Sequence, residues 1–262
     1  MRVGILVDMS QALPVATQAE TIKELLDRSK RTAVPIRKTF VQQGTGKVRQ
    51  PGPLGRLLKH RDDRALDLYL LVHAAASGEP FDITLPAAVW VRATGLKQSQ
   101  SALSTVSKVF RRIQGAGLIT RERVGSRSKL TLLDESGTGL PYARPSGKTD
   151  TYLKLGHEYW TSDWFRRLGS PAKVMLLIAL SLDDGFYLPL EKGPDWYGIS
   201  ADTVGRGFGE LIKHNLLTYE EKQKKAPLSP QGYTTERHYQ LNPPFGPVRS
   251  QKPTKQRASS KP

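Results

Sequence analysis

The sequence predicts an α+β fold, mostly helical, in which the same order of helix, strand, helix, turn, helix and two-stranded β-ribbon occurs twice. Three observations lead to this prediction. Apolar residues of two polar helices match at a constant offset of 98 positions, and a segment rich in glycine, serine and proline separates the two copies. The chain has 262 residues, a length sufficient for two cores of ordinary domain size. Its formal net charge is +16.

The first 60 residues are predicted to hold one helix and a flexible basic arm. An amphipathic pattern over 17–28 predicts the helix, and its apolar stripe is formed by Ile22, Leu25 and Leu26. From Arg28 to Arg61 the chain has ten Lys or Arg residues and no Asp or Glu, interrupted by clusters of glycine and proline. Because glycine and proline at this density oppose a packed core, we interpret 28–61 as a flexible cationic arm.

The first predicted domain spans 61–136 and contains a helix-turn-helix followed by a ribbon. Asp62 or Asp63 is a suitable N-cap for its first helix, and Pro86 suits the first position of the second helix, where a missing N–H costs nothing. In chain order the elements are a helix over 65–72, a strand over 81–85, a helix from Pro86 to a turn at Gly95, a helix over 97–112, and strands over 118–124 and 128–133.

The second predicted domain spans 151–243, after a linker over 137–150 and before a disordered basic tail over 244–262. In chain order its elements are a helix begun by Ser170 and Pro171, a strand over 186–188, a turn over 196–200, a helix capped by Ser200, and ribbon strands over 216–222 and 237–241.

The two domains can be aligned without gaps from their third helices into their ribbons. The matching pairs, each 98 positions apart, are Val106 and Val204, Phe110 and Phe208, Ile113 and Leu211, Leu118 and Leu216, and Ile119 and Leu217. With the shared order of elements, this pattern resembles tandem winged-helix DNA-binding proteins over 61–136 and 151–243. It resembles more distantly the plasmid replication initiators that have two winged-helix domains. The resemblance implies that a third helix lies in a DNA major groove and that the ribbon forms a wing.

The third helix of the first domain is the predicted reader of DNA bases. At 100° per residue its apolar side faces the core through Leu103, Val106, Val109, Phe110 and Ile113. Small polar side chains on the other side suit base edges, and the cations further along suit phosphates. The predicted DNA-binding residues of this helix are Lys97, Gln100, Ser101, Ser104, Thr105, Lys108, Arg111 and Arg112. An ordinary solvated helix face is the alternative.

The ribbons and the second domain add further candidates. The first ribbon carries Arg121, Arg123, Arg127 and Lys129, which we expect to contact phosphates or a minor groove. The outward face of the second domain's third helix has nearly cancelling charges, and its predicted DNA contacts are Arg206 and Lys213. Glycines at 205, 207 and 209 indicate either a close backbone approach or a role in protein contact, and we favour protein contact.

The predicted function is sequence-specific binding of double-stranded DNA, because a charge of +16 is best compensated by a polyanion. A transcriptional regulator fits this pattern best. The alternatives are a replication initiator of a plasmid or other mobile element and a winged-helix scaffold in a chromosome-organising complex of the condensin type. We expect a cytoplasmic, nucleoid-associated protein with no membrane partner, and a homodimer or protein contact through the second domain.

The sequence predicts neither an enzyme nor a cofactor or metal site. The chain has no cysteine, and its five histidines lack metal-ligand spacing. Glycine-rich segments at 44–47 and 205–209 depart from the phosphate-loop and kinase patterns in their spacing and in the elements around them. No catalytic residue is predicted.

Overall fold

The computed structural model describes residues 15–46, 48–58, 63–147 and 150–248. Of these, 41% are helical and 23% lie in strands, which confirms an α+β fold in which helix predominates. The elements are α1 (Gln18–Leu26), β1 (Ala33–Arg37), β2 (Gln42–Gln43), β3 (Gln50–Pro51), α2 (Leu54–Leu57), α3 (Arg64–Ala75), β4 (Asp82–Pro86), α4 (Ala87–Ala93), α5 (Gln100–Gly115), β5 (Ile119–Val124), β6 (Arg127–Leu132), β7 (Tyr152–Gly156), α6 (Glu158–Thr161), α7 (Trp164–Arg167), α8 (Ser170–Ser181), β8 (Phe186–Tyr187), α9 (Gly193–Tyr197), α10 (Ala201–Lys213), β9 (Leu217–Lys225) and β10 (Tyr233–Leu241).

The chain folds as two compact units, and each unit is discontinuous in sequence. Unit 1 combines Met1–Thr32 with Asp63–Tyr142, and unit 2 combines Ala33–Asp62 with Ala143–Pro262. The contiguous domains predicted from the sequence each lack a segment that the structure takes from the N-terminal 62 residues.

The core of unit 1 is built around α3, which is apolar on almost every side and therefore buried. Helix α1 packs on α3 and α4, and its predicted apolar stripe is buried. Thr17 caps α1 by accepting a hydrogen bond from the backbone N–H of Glu20, whose side chain accepts one from Thr17 in return. The predicted first helix is confirmed, but it belongs to unit 1 rather than to a separate N-terminal region.

Unit 1 continues as α3, β4, α4, α5, β5 and β6, and its three strands form an antiparallel sheet in the order β4-β6-β5. Gly95 has a φ of +74° in the turn between α4 and α5, a conformation that L side chains rarely adopt. Ser99 caps α5 by accepting a hydrogen bond from the N–H of Ala102. This cap places the start of α5 at Gln100, so the predicted helical rod over 97–112 is wrong at its beginning, and Lys97 lies in the preceding turn.

Unit 2 repeats the same order with α8, β8, α9, α10, β9 and β10, and its sheet has the equivalent order β8-β10-β9. Helix α8 is the buried central helix, as α3 is in unit 1. Ser200 caps α10 as predicted, by accepting a hydrogen bond from the N–H of Thr203. All ten residues of the five pairs separated by 98 positions are buried. The same apolar positions therefore form equivalent parts of both cores.

The predicted flexible arm over 28–61 is wrong for most of its described length. Residues Ala33–Arg37 form β1, which pairs antiparallel with β7 from Ala33 opposite Gly156 to Arg37 opposite Tyr152. The buried apolar residues of the segment include Val34, Ile36, Phe40, Val41, Leu54 and Leu57. The prediction failed because these apolar residues are dispersed among cations, and because β1 finds its partner strand more than 100 positions away, where local patterning gives no signal.

Two glycines of this segment, Gly52 and Gly55, allow close packing of the backbone. A Cβ atom at Gly52 would collide with the backbone carbonyl of Phe40, and one at Gly55 would lie 2.6 Å from the carbonyl oxygen of Tyr197. Only glycine lets these backbones approach so closely.

Parts of the predicted linker and of the predicted tail are folded. The N–H of Asp134 donates to the carbonyl of Leu140, and Tyr142 is buried edge-on against His73 and Phe81, so part of the 137–150 linker is folded into unit 1. In the predicted 244–262 tail, Phe245 contacts the ring of Trp164. The rest of that tail, from 249 onward, lies outside the described residues.

Candidate nucleic-acid interface

Helix α5 has one buried side and one exposed side, as its pattern predicts. Ala102, Val106, Val109, Phe110 and Ile113 are buried, and the ring of Phe110 packs edge-on against Trp90 with centroids 5.5 Å apart. Leu103, which we expected in the core, is half-buried. This packing orients the opposite side of the helix to solvent, where the exposed predicted residues are Gln100, Ser101, Ser104, Lys108 and Arg111.

Two predicted residues lie at the margins of this exposed face. Thr105 is half-buried and donates its hydroxyl to the carbonyl oxygen of Ser101 at 2.9 Å. Arg112 is also half-buried and is engaged with other groups of the protein. Neither side chain is as available to a ligand as Lys108 or Arg111.

Strands β5 and β6 form a short ribbon, here called hairpin 1, that follows α5 directly. Its tip is at Gly125, with a φ of +59°, and the side chain of Arg123 donates to the Gly125 carbonyl at 3.0 Å. Arg127 is exposed at the start of the returning strand. The register sets Arg123 opposite Ser128 and Arg127 opposite Val124, so the two exposed arginines lie near the tip on opposite faces of hairpin 1.

The guanidinium of Arg121, a predicted DNA contact, forms hydrogen bonds within unit 1. It donates to Ser107 Oγ at 2.9 Å and to Ser128 Oγ at 3.3 Å, and it lies over the ring of Phe110. Burial, and secondarily the charge of Arg111, lowers its pKa. These contacts connect α5 to hairpin 1.

Lys129 is also engaged, since its Nζ lies 3.0 Å from Asp82 Oδ2 on the neighbouring strand β4. The hydrogen bond and the charge of Asp82 raise the pKa of Lys129. The remaining cations differ. Among the described residues no carboxylate forms an ion pair with the exposed side chains of Lys97, Lys108, Arg111 or Arg127. Unit 1 thus carries an uncompensated positive surface on its third helix and hairpin tip.

The equivalent helix of unit 2, α10, has a different surface. Arg206 pairs with Asp202 at 2.9 Å, and Lys213 is exposed in the last turn. Glu210 accepts a hydrogen bond from the N–H of Gly169 at 2.7 Å, and this residue is the N-cap of α8. Helix α10 therefore uses a carboxylate on its flank to hold its own unit together.

The glycines of α10 have separate explanations. A Cβ atom at Gly207 would lie 2.5 Å from the carbonyl oxygen of Pro171 and would collide with the side chain of Met175, so α10 and α8 approach closely there. A Cβ atom at Gly209 would meet no atom within 4 Å. The close approach of the two backbones therefore explains the glycine at 207. A role in protein contact, the alternative that we favoured from the sequence, is not required at that position.

Strands β9 and β10 form hairpin 2, which is longer than hairpin 1 because each of its strands has nine residues instead of six. Two of its cations are paired: Lys224 with Glu236 at 3.0 Å and Arg237 with Glu221 at 3.1 Å. The predicted ribbon was too short at its tip: the strand predicted over 216–222 continues to Lys225, and the strand predicted over 237–241 already begins at Tyr233.

Comparison of the chain with protein-family models, curated proteins and solved structures finds no match to any of them. Among the helices of the described residues, none has the length and apolarity that a membrane span requires. In the same part of the chain, no group of three or more histidine and acidic side chains is placed to hold a metal ion.

Proposed function

We propose that the chain is a sequence-specific double-stranded DNA-binding protein built from two winged-helix units, and that unit 1 reads the bases. The order α3, β4, α4, α5, β5, β6 with the sheet order β4-β6-β5 is compatible with a winged helix, and unit 2 has the same topology. In this arrangement α5 is the recognition helix and hairpin 1 is its wing.

The observation that carries the proposal is the uncompensated charge on one face of unit 1. Lys108 and Arg111 project from the exposed side of α5, on the same helix as the small polar side chains of Ser101 and Ser104. Small hydroxyls allow a helix to lie deep in a major groove, whereas Lys and Arg further along reach the phosphate walls. Arg127 at the tip of hairpin 1 is a further exposed cation, and in this proposal it contacts phosphates of the DNA backbone beside the groove.

Unit 2 contributes differently in this proposal. Its Arg206 is paired with Asp202, so the helix is a weaker electrostatic match to phosphate, although Lys213 remains exposed. We assign to unit 2 the binding of a second half-site or of a partner protein, including a second copy of the chain, because one small module rarely contacts enough bases for useful selectivity.

The proposed biological role is transcriptional regulation in the cytoplasm, on the nucleoid, with replication initiation for a mobile element as the second candidate. The duplication of the unit combined with unlike helix surfaces supports this second candidate. Genome-wide mapping of DNA bound by the chain separates the roles. Regulation predicts sites at several promoters, and initiation predicts one repeated array beside the gene that encodes the protein.

The DNA-binding proposal is tested by the double variant Lys108→Ala, Arg111→Ala in the full chain. We expect binding to a duplex selected from a random pool to weaken by about 2–5 kcal/mol. The slope of log affinity against log salt should become shallower by about 1.8, as expected for two lost phosphate contacts, if both residues contact the backbone. Fluorescence anisotropy at several salt concentrations measures both quantities.

The matched control is Lys30→Ala with Arg31→Ala, which removes the same charge from exposed positions of unit 1 outside α5. Unchanged affinity of the α5 variant with an intact circular dichroism spectrum would contradict the recognition-helix assignment. An equal loss in both double variants would show that net charge, and not the α5 surface, determines binding.

A further inference from the structure

Hairpin 2 extends well beyond the core of unit 2. Nine residues per strand correspond to about 30 Å of ribbon, whereas only Leu217, Tyr239 and Leu241 of its two strands are buried. No residue over 218–238 is buried on either face of the ribbon. Since a two-stranded ribbon in water is marginally stable by itself, so long an exposed one is better explained by a ligand than by the core of unit 2.

The charges of hairpin 2 are segregated along its length. The acidic residues Glu220, Glu221 and Glu236 lie toward the base, and residues 222–235 contain Lys222, Lys224 and Lys225 and no acid. Lys224 reaches back to Glu236, but Lys222 and Lys225 form no ion pair with the described residues. The outer part of the ribbon is therefore positive and suits a polyanion.

The tip of hairpin 2 exposes an apolar side chain on an ordered turn. Leu228 is 101% exposed, and it lies between Pro227 and Pro230. The turn is held by hydrogen bonds from the Ser229 N–H to the Ala226 carbonyl at 2.9 Å and from Ser229 Oγ to the Tyr233 carbonyl at 2.9 Å. Full exposure of a leucine forgoes about 1.5–3 kcal/mol of burial free energy, which burial of Leu228 in a complex would recover.

We propose that Leu228 is a wedge that inserts between base pairs of duplex DNA from the minor groove and kinks the duplex, while Lys222 and Lys225 contact the adjacent phosphates. Leucine and proline are among the side chains that unstack base steps in this way. The lysines favour DNA over an apolar protein pocket, because a protein partner would need an acidic rim of its own to match them. This inference rests on the proposed function of DNA binding.

Ligase-mediated circularisation of a mixed-sequence fragment of about 100 base pairs tests the wedge in the full chain. Such a fragment is shorter than the persistence length of about 150 base pairs, so its unaided closure is slow and any kink accelerates it. We expect the protein to raise the closure rate by about tenfold, and Leu228→Ala to remove most of that gain. The affinity for the same linear fragment, measured by anisotropy, should change by less than about threefold, because the phosphate contacts remain.

Leu140→Ala is the matched control, since it truncates another exposed leucine, 62% exposed, outside hairpin 2, and it should circularise DNA like the parent chain. Leu228→Phe, which retains a bulky wedge, should also preserve closure. Circular dichroism checks that each variant is folded.

The outcomes separate the wedge from DNA binding itself. The wedge is overturned if the parent chain binds the fragment tightly without accelerating its closure, or if Leu228→Ala accelerates closure equally. Either result leaves the proposed function intact. Failure of the parent chain to bind the fragment at low salt overturns both. If Leu228→Ala circularises DNA normally but loses self-association in light scattering, the tip is a protein contact and the wedge is overturned.

Discussion

Helices α5 and α10 share their buried side and differ on their exposed side. Phe110 and Phe208 occupy equivalent core positions, yet the exposed cations of α5 lack carboxylate partners among the described residues, whereas Arg206 of α10 is paired with Asp202. The hairpins do not differ in this way: hairpin 1 has a paired cation in Lys129 and an unpaired one in Arg127, and hairpin 2 has paired cations in Lys224 and Arg237 and unpaired ones in Lys222 and Lys225, among the described residues. The two units therefore share equivalent core side chains, while the exposed sides of α5 and α10 carry different arrangements of charge.

The largest expected effect tests whether the two cores are equivalent. Phe110→Ala and Phe208→Ala should each lower the free energy of unfolding by about 3–5 kcal/mol, because each leaves a cavity in a packed core. Phe110 packs on Trp90 at 5.5 Å, and Phe208 stacks on Tyr239 at 4.1 Å. Urea unfolding followed by circular dichroism measures the loss. A cost below about 1 kcal/mol at either position would show that the equivalence inferred from the 98-residue offset fails there.

A second comparison uses the glycines of α10, which have no counterpart in α5 before Gly115. Gly207→Ala should destabilise unit 2 by about 2–3 kcal/mol, because the new Cβ collides with Met175 and approaches the Pro171 carbonyl. Gly209→Ala, in open space two residues away, should stabilise it by about 0.5–1 kcal/mol through higher helix propensity. Thermal unfolding of the two variants side by side checks the opposite signs. A stabilising Gly207→Ala would contradict the close approach of α8 and α10.

The smallest expected effect distinguishes the arginine of hairpin 1 that contacts α5 from an exposed one. Arg121→Ala should lower the free energy of unfolding by about 1–2 kcal/mol, because Ser107 and Ser128 lose a charged hydrogen-bond donor. Arg123→Ala should leave stability within about 0.5 kcal/mol and reduce DNA affinity instead. Chemical denaturation and anisotropy on both variants provide the readout. Equal stability of the two variants would show that Arg121 does not connect α5 to the ribbon.

Much of the fold could be predicted because its signals are local. The apolar periodicity of α5, the cap at Ser200 and the glycine turn at 95 depend on residues close in sequence, and all of them are present in the structure. The 98-residue offset, together with the repeated order of elements, added long-range information, and all five pairs of residues are buried. Strand β1 was not predicted, because it pairs with β7 across more than 100 residues of intervening chain.

The same difference between local and long-range signals applies to the candidate site. Lys108 and Arg111 were predicted and are exposed, since a helical face follows directly from the 100° periodicity. Arg121 and Lys129 were predicted as DNA contacts but are engaged with Ser107 and Asp82, which lie on neighbouring elements. Counting charges along a ribbon cannot reveal such partners, because the pairing depends on which side chains adjacent strands and helices bring together. The length of hairpin 2 was underestimated because its outer strands have no apolar face.

The amino-acid order alone determined the duplicated architecture and the excess of positive charge, because helix caps, turns and apolar periodicity act over a few residues and charge is additive. The tertiary structure decided which cations are neutralised and which segments complete each unit. Those outcomes depend on distances between parts of the chain that only folding makes neighbours. For this reason the net charge is a property of the whole chain, but only the packed structure shows that the exposed cations of α5 have no carboxylate partner among the described residues.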